Sequence, residues 1–351
     1  MKPLKKSRPN PHPPFRILSL DGGGIRGAFA AAFLARIEQE LSVSITDYFD
    51  LVAGTSTGAI IALALGFGES AERIRSLYEK CGPQIFARRT DTRTPALLLP
   101  FLALAKLKFP ALDGRMLKRS KYASEPLREA LTDVFGNKTL ESATACRLVI
   151  PAVDLVRGKT VTFKTPHQPD FVRDRKYTAV EVALATTAAP TFFPNAAIGK
   201  GTAFSDGGLW ANNPAIIAYA EALKIREVCL RPGLDRHFAP EDIWMLSIGT
   251  GEPQYYARPR PADDGLFWWG PRLFDVASGA QSHGTHFQAR YLMGEERYLR
   301  VDFKMPTPPW QLDDIKALPE IFHCGQESAI EHFQSLRSTF FGEKKMDYHP
   351  F

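Results

Sequence analysis

Cysteine is scarce and scattered. Cys81, Cys146, Cys229 and Cys324 are the four in 351 residues, and no two form a C-x-x-C pair. That excludes a small disulfide-framed domain and a cysteine-built zinc site, and it suits a chain kept reduced. No His/Asp/Glu group has metal-ligand spacing, so no metal and no other cofactor is expected. Internal repeats are absent, which excludes solenoids and propellers. Uninterrupted apolar runs stop well short of a bilayer's thickness. The opening "MKPLKKSRPNPHPPF" has no apolar signal core and reads as a basic, proline-rich disordered tail over 1–14. A cytoplasmic protein is expected. Charge of one sign is only mildly in excess, at +6. That suits an anionic partner (nucleic acid, nucleotide or phospholipid surface) without choosing among them.

What is present is a normal core-forming composition, 44% hydrophobic and 23% charged. "FRILSL" (Phe15 to Leu20) reads as a buried strand followed at once by glycines. Phe29, Phe33, Ile37 and Leu41 then fall on one helical stripe. "FDLVAG" is a second strand, and Gly58 to Leu65 a helix with almost no polar face. Strand and helix in alternation predict an α/β fold with a mostly parallel sheet covered on both sides. Further helices are expected over Glu69 to Lys80, in "SEPLREALTDVFG", in "AVEVALATTAAPTFFP" and over Phe274 to Met293. Further strands are expected in "RLVIPAVDLV", "TVTFKT", "TAFSD", "IWMLSIGTG" and "RYLRVDF". No boundary divides the chain, so a single domain over 15–345 is expected, with a long surface loop over 252–273. Residues 90–121 differ in texture. Their run "PALLLPFLALAKLKFPAL" is apolar, and from Arg88 to Lys121 nine Lys/Arg stand against Asp91 and Asp113. This suits a lid or membrane-facing element, with Phe101, Leu104, Leu107 and Phe109 toward acyl chains and Lys106 and Lys108 toward anionic headgroups. A core helix with a solvated flank explains the same pattern, and Trp268 and Trp269 suit either an interface or a packed loop.

The chemistry concentrates in three glycine-framed stretches. Gly54-Thr55-Ser56-Thr57-Gly58 is a G-x-S-x-G string between a strand and a helix, the context of a nucleophile elbow. The helix start would also favour negative charge beside Ser56. A plain N-cap serine is the simpler alternative. A nucleophilic serine needs a base. His167, His237, His283, His286, His323, His332 and His349 all follow Ser56, but none sits in a glycine-framed turn after a strand, although His283 and His286 stay open. Asp206 does, framed by Gly207 and Gly208, 150 positions after Ser56. A carboxylate there could take the serine proton directly; an ordinary Asp-Gly turn is the alternative. The third stretch is "DGGGIRG". Amides of Gly22, Gly23 and Gly24 can converge on one anion, either a phosphate or the oxyanion of a tetrahedral intermediate. The G-x-G-x-x-G within it (Gly22, Gly24, Gly27) is a weak dinucleotide signal, because the second strand ends in the serine string and not in a ribose-binding acid. Arg26 adds positive charge beside the loop or points to solvent.

In this order, "DGGGIRG", "GTSTG" and "DGG" resemble the patatin-like phospholipases, as do "TTAAPTFFP", "ANNP" and "LSIGTG". The likeness runs from about Phe15 to Gly251; many members carry D-G-A where this chain has D-G-G. It implies a three-layer α/β/α fold and a Ser–Asp dyad, with Ser56 the nucleophile and Asp206 the base. Gly22, Gly23, Gly24 and Arg26 would form the oxyanion loop, and Gly27, Gly54, Gly58, Gly207 and Gly208 would support the motifs. "ILSLDGGGIRG" and "LFDVASGAQSH" resemble, within the family, the cyclic-dinucleotide-activated effectors of anti-phage CBASS systems. That narrower likeness implies phospholipid degradation at the inner face of the membrane by a peripheral enzyme, switched on by a cyclic dinucleotide such as cGAMP. No nucleic-acid polymer is implied, and oligomerisation is compatible. Plant-type or unregulated bacterial lipid hydrolases, and a non-catalytic nucleotide or phosphate binder, are the alternatives.

Overall fold

A computed structural model describes residues 13–88, 119–229, 238–252, 269 and 272–351. The expectations for 94–109, for Lys106 and Lys108, for Trp268 and for most of the 252–273 loop therefore lie outside the described residues.

Strand β1 (Phe15–Leu20) is the axis of the sheet, pairing parallel with β2 (Leu51–Gly54) on one side and β6 (Ile243–Ile248) on the other. β3 (Arg147–Asp154) extends the sheet in parallel beyond β2, and β7 (Tyr298–Val301) in parallel beyond β6. β4 (Lys159–Lys164) and the short β5 (Phe204–Asp206) both pair with β3 antiparallel. The described strands make one mixed, mostly parallel sheet of seven. Side-chain alternation explains its two covered faces. Phe15 and Ile17 pack toward helix α7 (Ala215–Cys229), while Leu18 and Leu20 pack toward α1 (Ala28–Leu41), α2 (Thr57–Gly66) and α9 (Leu318–Phe340). The helices not yet named are α3 (Ala71–Ile85), α4 (Glu125–Phe135), α5 (Ala179–Thr186), the short α6 (Gly208–Ala211) and α8 (Leu273–Met293).

Most expected elements are present, including the wholly buried α2. Two differ. The third helix runs on past Lys80 to Ile85, with Pro83 in its last turns. The long helix α9 was not anticipated. Its core stripe uses Gly325 and Ala329 where large apolar residues would have announced it. A Cβ on Gly325 would lie 2.4 Å from the Phe29 carbonyl, so small residues are what let α9 lie against α1. Past residue 345 the chain stays on the body: Tyr348 is buried, and the Phe351 amide donates to the Pro166 carbonyl.

Candidate active site

The site lies beyond the carboxyl ends of β1 and β2, beside the point where the strand order turns from β2 to β6. β2 leaves the sheet at Gly54, while β3 continues to Asp154. β5 takes the vacated edge of β3, with Asp206 opposite Ala152. The two chains thus meet head-on, and Ser56 Oγ donates to Asp206 Oδ2 at 2.8 Å.

Ser56 itself is strained, at φ 51° and ψ −117°, with α2 beginning at the next residue. A non-glycine residue there is uncommon and marks an elbow that lifts its side chain out of the turn. The elbow closes only because its flanks lack side chains. A Cβ on Gly54 would lie 2.2 Å from the Gly58 carbonyl oxygen, and one on Gly58 2.4 Å from that of Leu20. A third support was not legible in the sequence. The Ser56 amide donates to Thr186 Oγ1 at 3.0 Å, and Thr186 Oγ1 donates to the Pro151 carbonyl at 2.7 Å. Thr186 opens "TTAAP", and only that stretch's family likeness pointed toward it. Thr186→Val should leave a shielded amide unpaired, cost roughly 1–3 kcal/mol, and lower kcat more than it raises KM. Thr186→Ser should restore both, as thermal melts and ester kinetics would show.

Asp206 is buried, and burial pushes its carboxyl up to about 7 against the opposing bonds from Gly208 N and Ser56. The Gly208 amide holds Oδ1 at 2.7 Å, which leaves Oδ2 to the serine. No described histidine bonds to Ser56. His286 Nδ1 lies 3.2 Å from Tyr298 Oη, His167 Nε2 lies 3.0 Å from Glu221 Oε1, and His283 is exposed.

The glycine loop is pinned from behind. Gly22 N donates to the Asn212 carbonyl at 2.9 Å, so that amide is already engaged. The Gly22 carbonyl accepts from Thr250 Oγ1 at 2.7 Å and from Asn212 Nδ2 at 3.3 Å. Thus "ANNP" and "IGTG" hold the loop. Gly24 has φ +58°, and a Cβ there would strike the Leu312 carbonyl at 2.2 Å. Among the described residues no acceptor faces the amides of Gly23 and Gly24, and both residues line the cavity that exposes Ser56 and Asp206. Arg26 does not point to solvent. It is buried, with Nε donating to the Gly23 carbonyl at 3.2 Å and Nη1 to that of Trp310 at 3.4 Å. It holds the Gly23 carbonyl while lining the cavities on both sides of the loop.

Asp21 supplies another support that sequence reasoning missed. Arg300 holds it bidentately, at 2.9 and 2.7 Å, and also reaches Asp302 at 2.7 Å. Burial still raises Asp21 to about 6, against the pull of Arg300. In front of Ser56 the cavity wall is apolar, with Leu77, Phe86, Leu131, Phe192, Phe193 and Phe274 along it. Such a wall suits a hydrocarbon chain leading to a reacting carbonyl.

A serine lifted on a strained elbow, bonded to a buried carboxylate at the foot of an apolar channel, is the equipment of a serine acyl hydrolase acting on apolar esters. The chain belongs to the patatin-like phospholipase family, whose model matches residues 18–219, and it is accordingly a lipid acyl hydrolase. Among its relatives is a cGAMP-activated phospholipase of Vibrio cholerae, 35% identical over 341 residues, covering 91% of each chain. A second protein so named, from Pseudomonas aeruginosa, is 34% identical over 310 residues, covering 88% of this chain and 84% of its own. A third, from Escherichia coli, is 37% identical over 257 residues, covering 70% of this chain and 65% of its own. Among the described residues no helix is long and apolar enough to cross a membrane, and no cluster of three or more His, Cys, Asp or Glu is placed to hold a metal ion.

Proposed function

We propose that the protein hydrolyses acyl esters of membrane phospholipids through a Ser56–Asp206 dyad, and that a cyclic dinucleotide of the cGAMP type switches it on. The observation that carries the dyad is the 2.8 Å bond from Ser56 Oγ to Asp206 Oδ2 in a site where no described histidine competes. As Ser56 attacks the ester carbonyl, its proton passes to Asp206, and the new oxyanion rests on the amides of Gly23 and Gly24. Gly22 contributes by fixing the loop, since its own amide is bonded to Asn212. Asp206 then protonates the leaving lysolipid alkoxide. In the second half-reaction it takes a proton from water, which attacks the acyl-serine, and returns that proton to Ser56 Oγ as the fatty acid leaves. A base close to 7 suits this double duty near neutral pH. Activation by a cyclic dinucleotide and work at a membrane surface are inferred from the relatives' names and from the apolar channel.

Two measurements test this. Fatty-acid release from phospholipid vesicles should rise sharply when cGAMP is added; equal rates with and without it would remove the switch and leave an unregulated hydrolase. The dyad predicts a pH profile. Only ionised Asp206 accepts the proton, so kcat/KM should fall as pH drops through about 7 and level off above it. A profile flat from pH 5 to 8 would assign the base elsewhere.

A further inference from the structure

A second cavity of about 480 Å³ lies behind the glycine loop; it shares Arg26, Asn212 and Ser278 with the apolar channel but carries more polar groups in its wall. Three residues of its wall are those that hold the loop. Arg26 bonds the Gly23 carbonyl, while Thr250 and Asn212 bond that of Gly22. Anything seated here would bear directly on the amides proposed to hold the oxyanion.

Two features show a place prepared for a ligand. Asp275 lines the cavity, and its Oδ1 is buried with no hydrogen-bond partner among the described residues. A shielded carboxylate oxygen without a donor is costly, and a ligand N–H would relieve that cost. Gly279 lies well inside the 21-residue helix α8, where glycine costs about 1 kcal/mol against alanine. No described residue calls for it by packing, because a Cβ there would meet none of them within 4 Å. The side chain it lacks leaves the cavity open.

The charges indicate what part of a ligand enters. Asp21 and Asp302 are engaged by Arg300, so the acids do not combine into a cation site. The remaining wall sets the carboxylates of Asp275 and Glu252 beside Arg26, His283 and His286, so it offers both acceptors and donors and gathers no excess of positive charge for phosphates. A heteroaromatic edge carrying both N–H donors and ring acceptors matches it. We infer that this cavity seats a purine base of the activating cyclic dinucleotide, with Asp275 accepting from its N–H edge, and that occupancy reaches the active site through Arg26, Asn212 and Thr250. This rests on the activation reading above.

The test is calorimetric titration of the full chain with cGAMP, paired with cGAMP-stimulated fatty-acid release from vesicles. Gly279→Leu, which fills the cavity, and Asp275→Ala, which removes the acceptor, should each weaken binding at least 10-fold. Each should also shift the cGAMP concentration for half-maximal stimulation by a similar factor. Cyclic di-UMP, which offers no purine edge, should neither bind nor stimulate. If both variants melt as cooperatively as the wild type yet bind cGAMP equally well, the cavity is not the site. Equal stimulation by cyclic di-UMP would overturn the purine assignment. Wild-type protein that ignores cGAMP altogether would overturn the switch itself, and this inference with it, a result distinct from either variant's behaviour.

Discussion

Asp206→Asn should abolish hydrolysis and at the same time make the protein more stable at pH 8. The amide keeps the size of the carboxylate and can still accept from Gly208 N, but it cannot take the Ser56 proton. A lost general base typically costs 10²–10⁴-fold, and the upper part of that range is expected because no described histidine stands by to replace it. Ser56→Ala should be at least as damaging and should also abolish fluorophosphonate labelling. The stability gain follows from linkage. The carboxyl holds its proton up to about pH 7 when folded, against the ordinary value of 3.8. Within that window the folded state binds more protons than the unfolded, so stability falls as pH rises through it. Above pH 7 the folded chain carries the whole penalty, a few kcal/mol on the order of the shift. Asparagine removes it. The variant should therefore melt higher than wild type at pH 8, with the difference fading toward pH 4. A variant that is inactive and also less stable at pH 8 would mean that Asp206 holds the fold together and is not a base stored at a cost.

The parts of this site that could be read from the chain are those whose signals are local. A strand running into glycines and then a helix predicts the elbow and the anion loop, and Asp206 shows itself by the glycines beside it. What could not be read depends on partners far apart in sequence. Thr186 meets Ser56 across 130 positions, and Arg300 meets Asp21 across 279. Nothing near either residue announces the contact, which exists because several loops converge beyond the carboxyl edge of one sheet. Arg26 shows the same limit in reverse. Its charge suggested the cavity or the solvent, but two carbonyls, of Gly23 and Trp310, draw it inward. Helix α9 escaped notice for a packing reason, because its contact with α1 is made close by Gly325 and Ala329. Leu318, Ile321, Leu336 and Phe340 keep the helical period at the two ends, while Gly325 and Ala329 leave its middle without large side chains.

Removing the Arg300 guanidinium should be the most destabilising single change outside the elbow. In Arg300→Met the methionine fills much of the same space, but Asp21 and Asp302 both keep buried carboxylates that have lost their cation. Breaking one side of such a buried pair typically costs roughly 3–5 kcal/mol, because the surviving charge has neither water nor a partner. Asp302 retains the amides of Gly251 and Phe303, whereas Asp21 depends on Arg300 far more heavily. Its carboxyl, already raised to about 6 by burial, should rise further once the guanidinium is gone. The sign of the pH dependence is then fixed. The folded variant binds the Asp21 proton more tightly than the unfolded chain does, so it loses stability as pH rises. The deficit against wild type should be several degrees of melting temperature at pH 8 and should shrink toward pH 5. Asp21→Asn placed in the same background should recover much of the loss at pH 8. Activity should follow position as well as stability. Asp21 is the residue before Gly22, and a shift of about 1 Å in groups aligned on a reacting carbonyl can cost on the order of 10²-fold. Below its melting range, Arg300→Met should therefore hydrolyse a short soluble ester far more slowly, with fluorophosphonate labelling of Ser56 slowed in parallel. An Arg300→Met protein that melts within a degree of wild type at pH 8, or that keeps full esterase activity, would show that the Asp21 pair does not hold the loop.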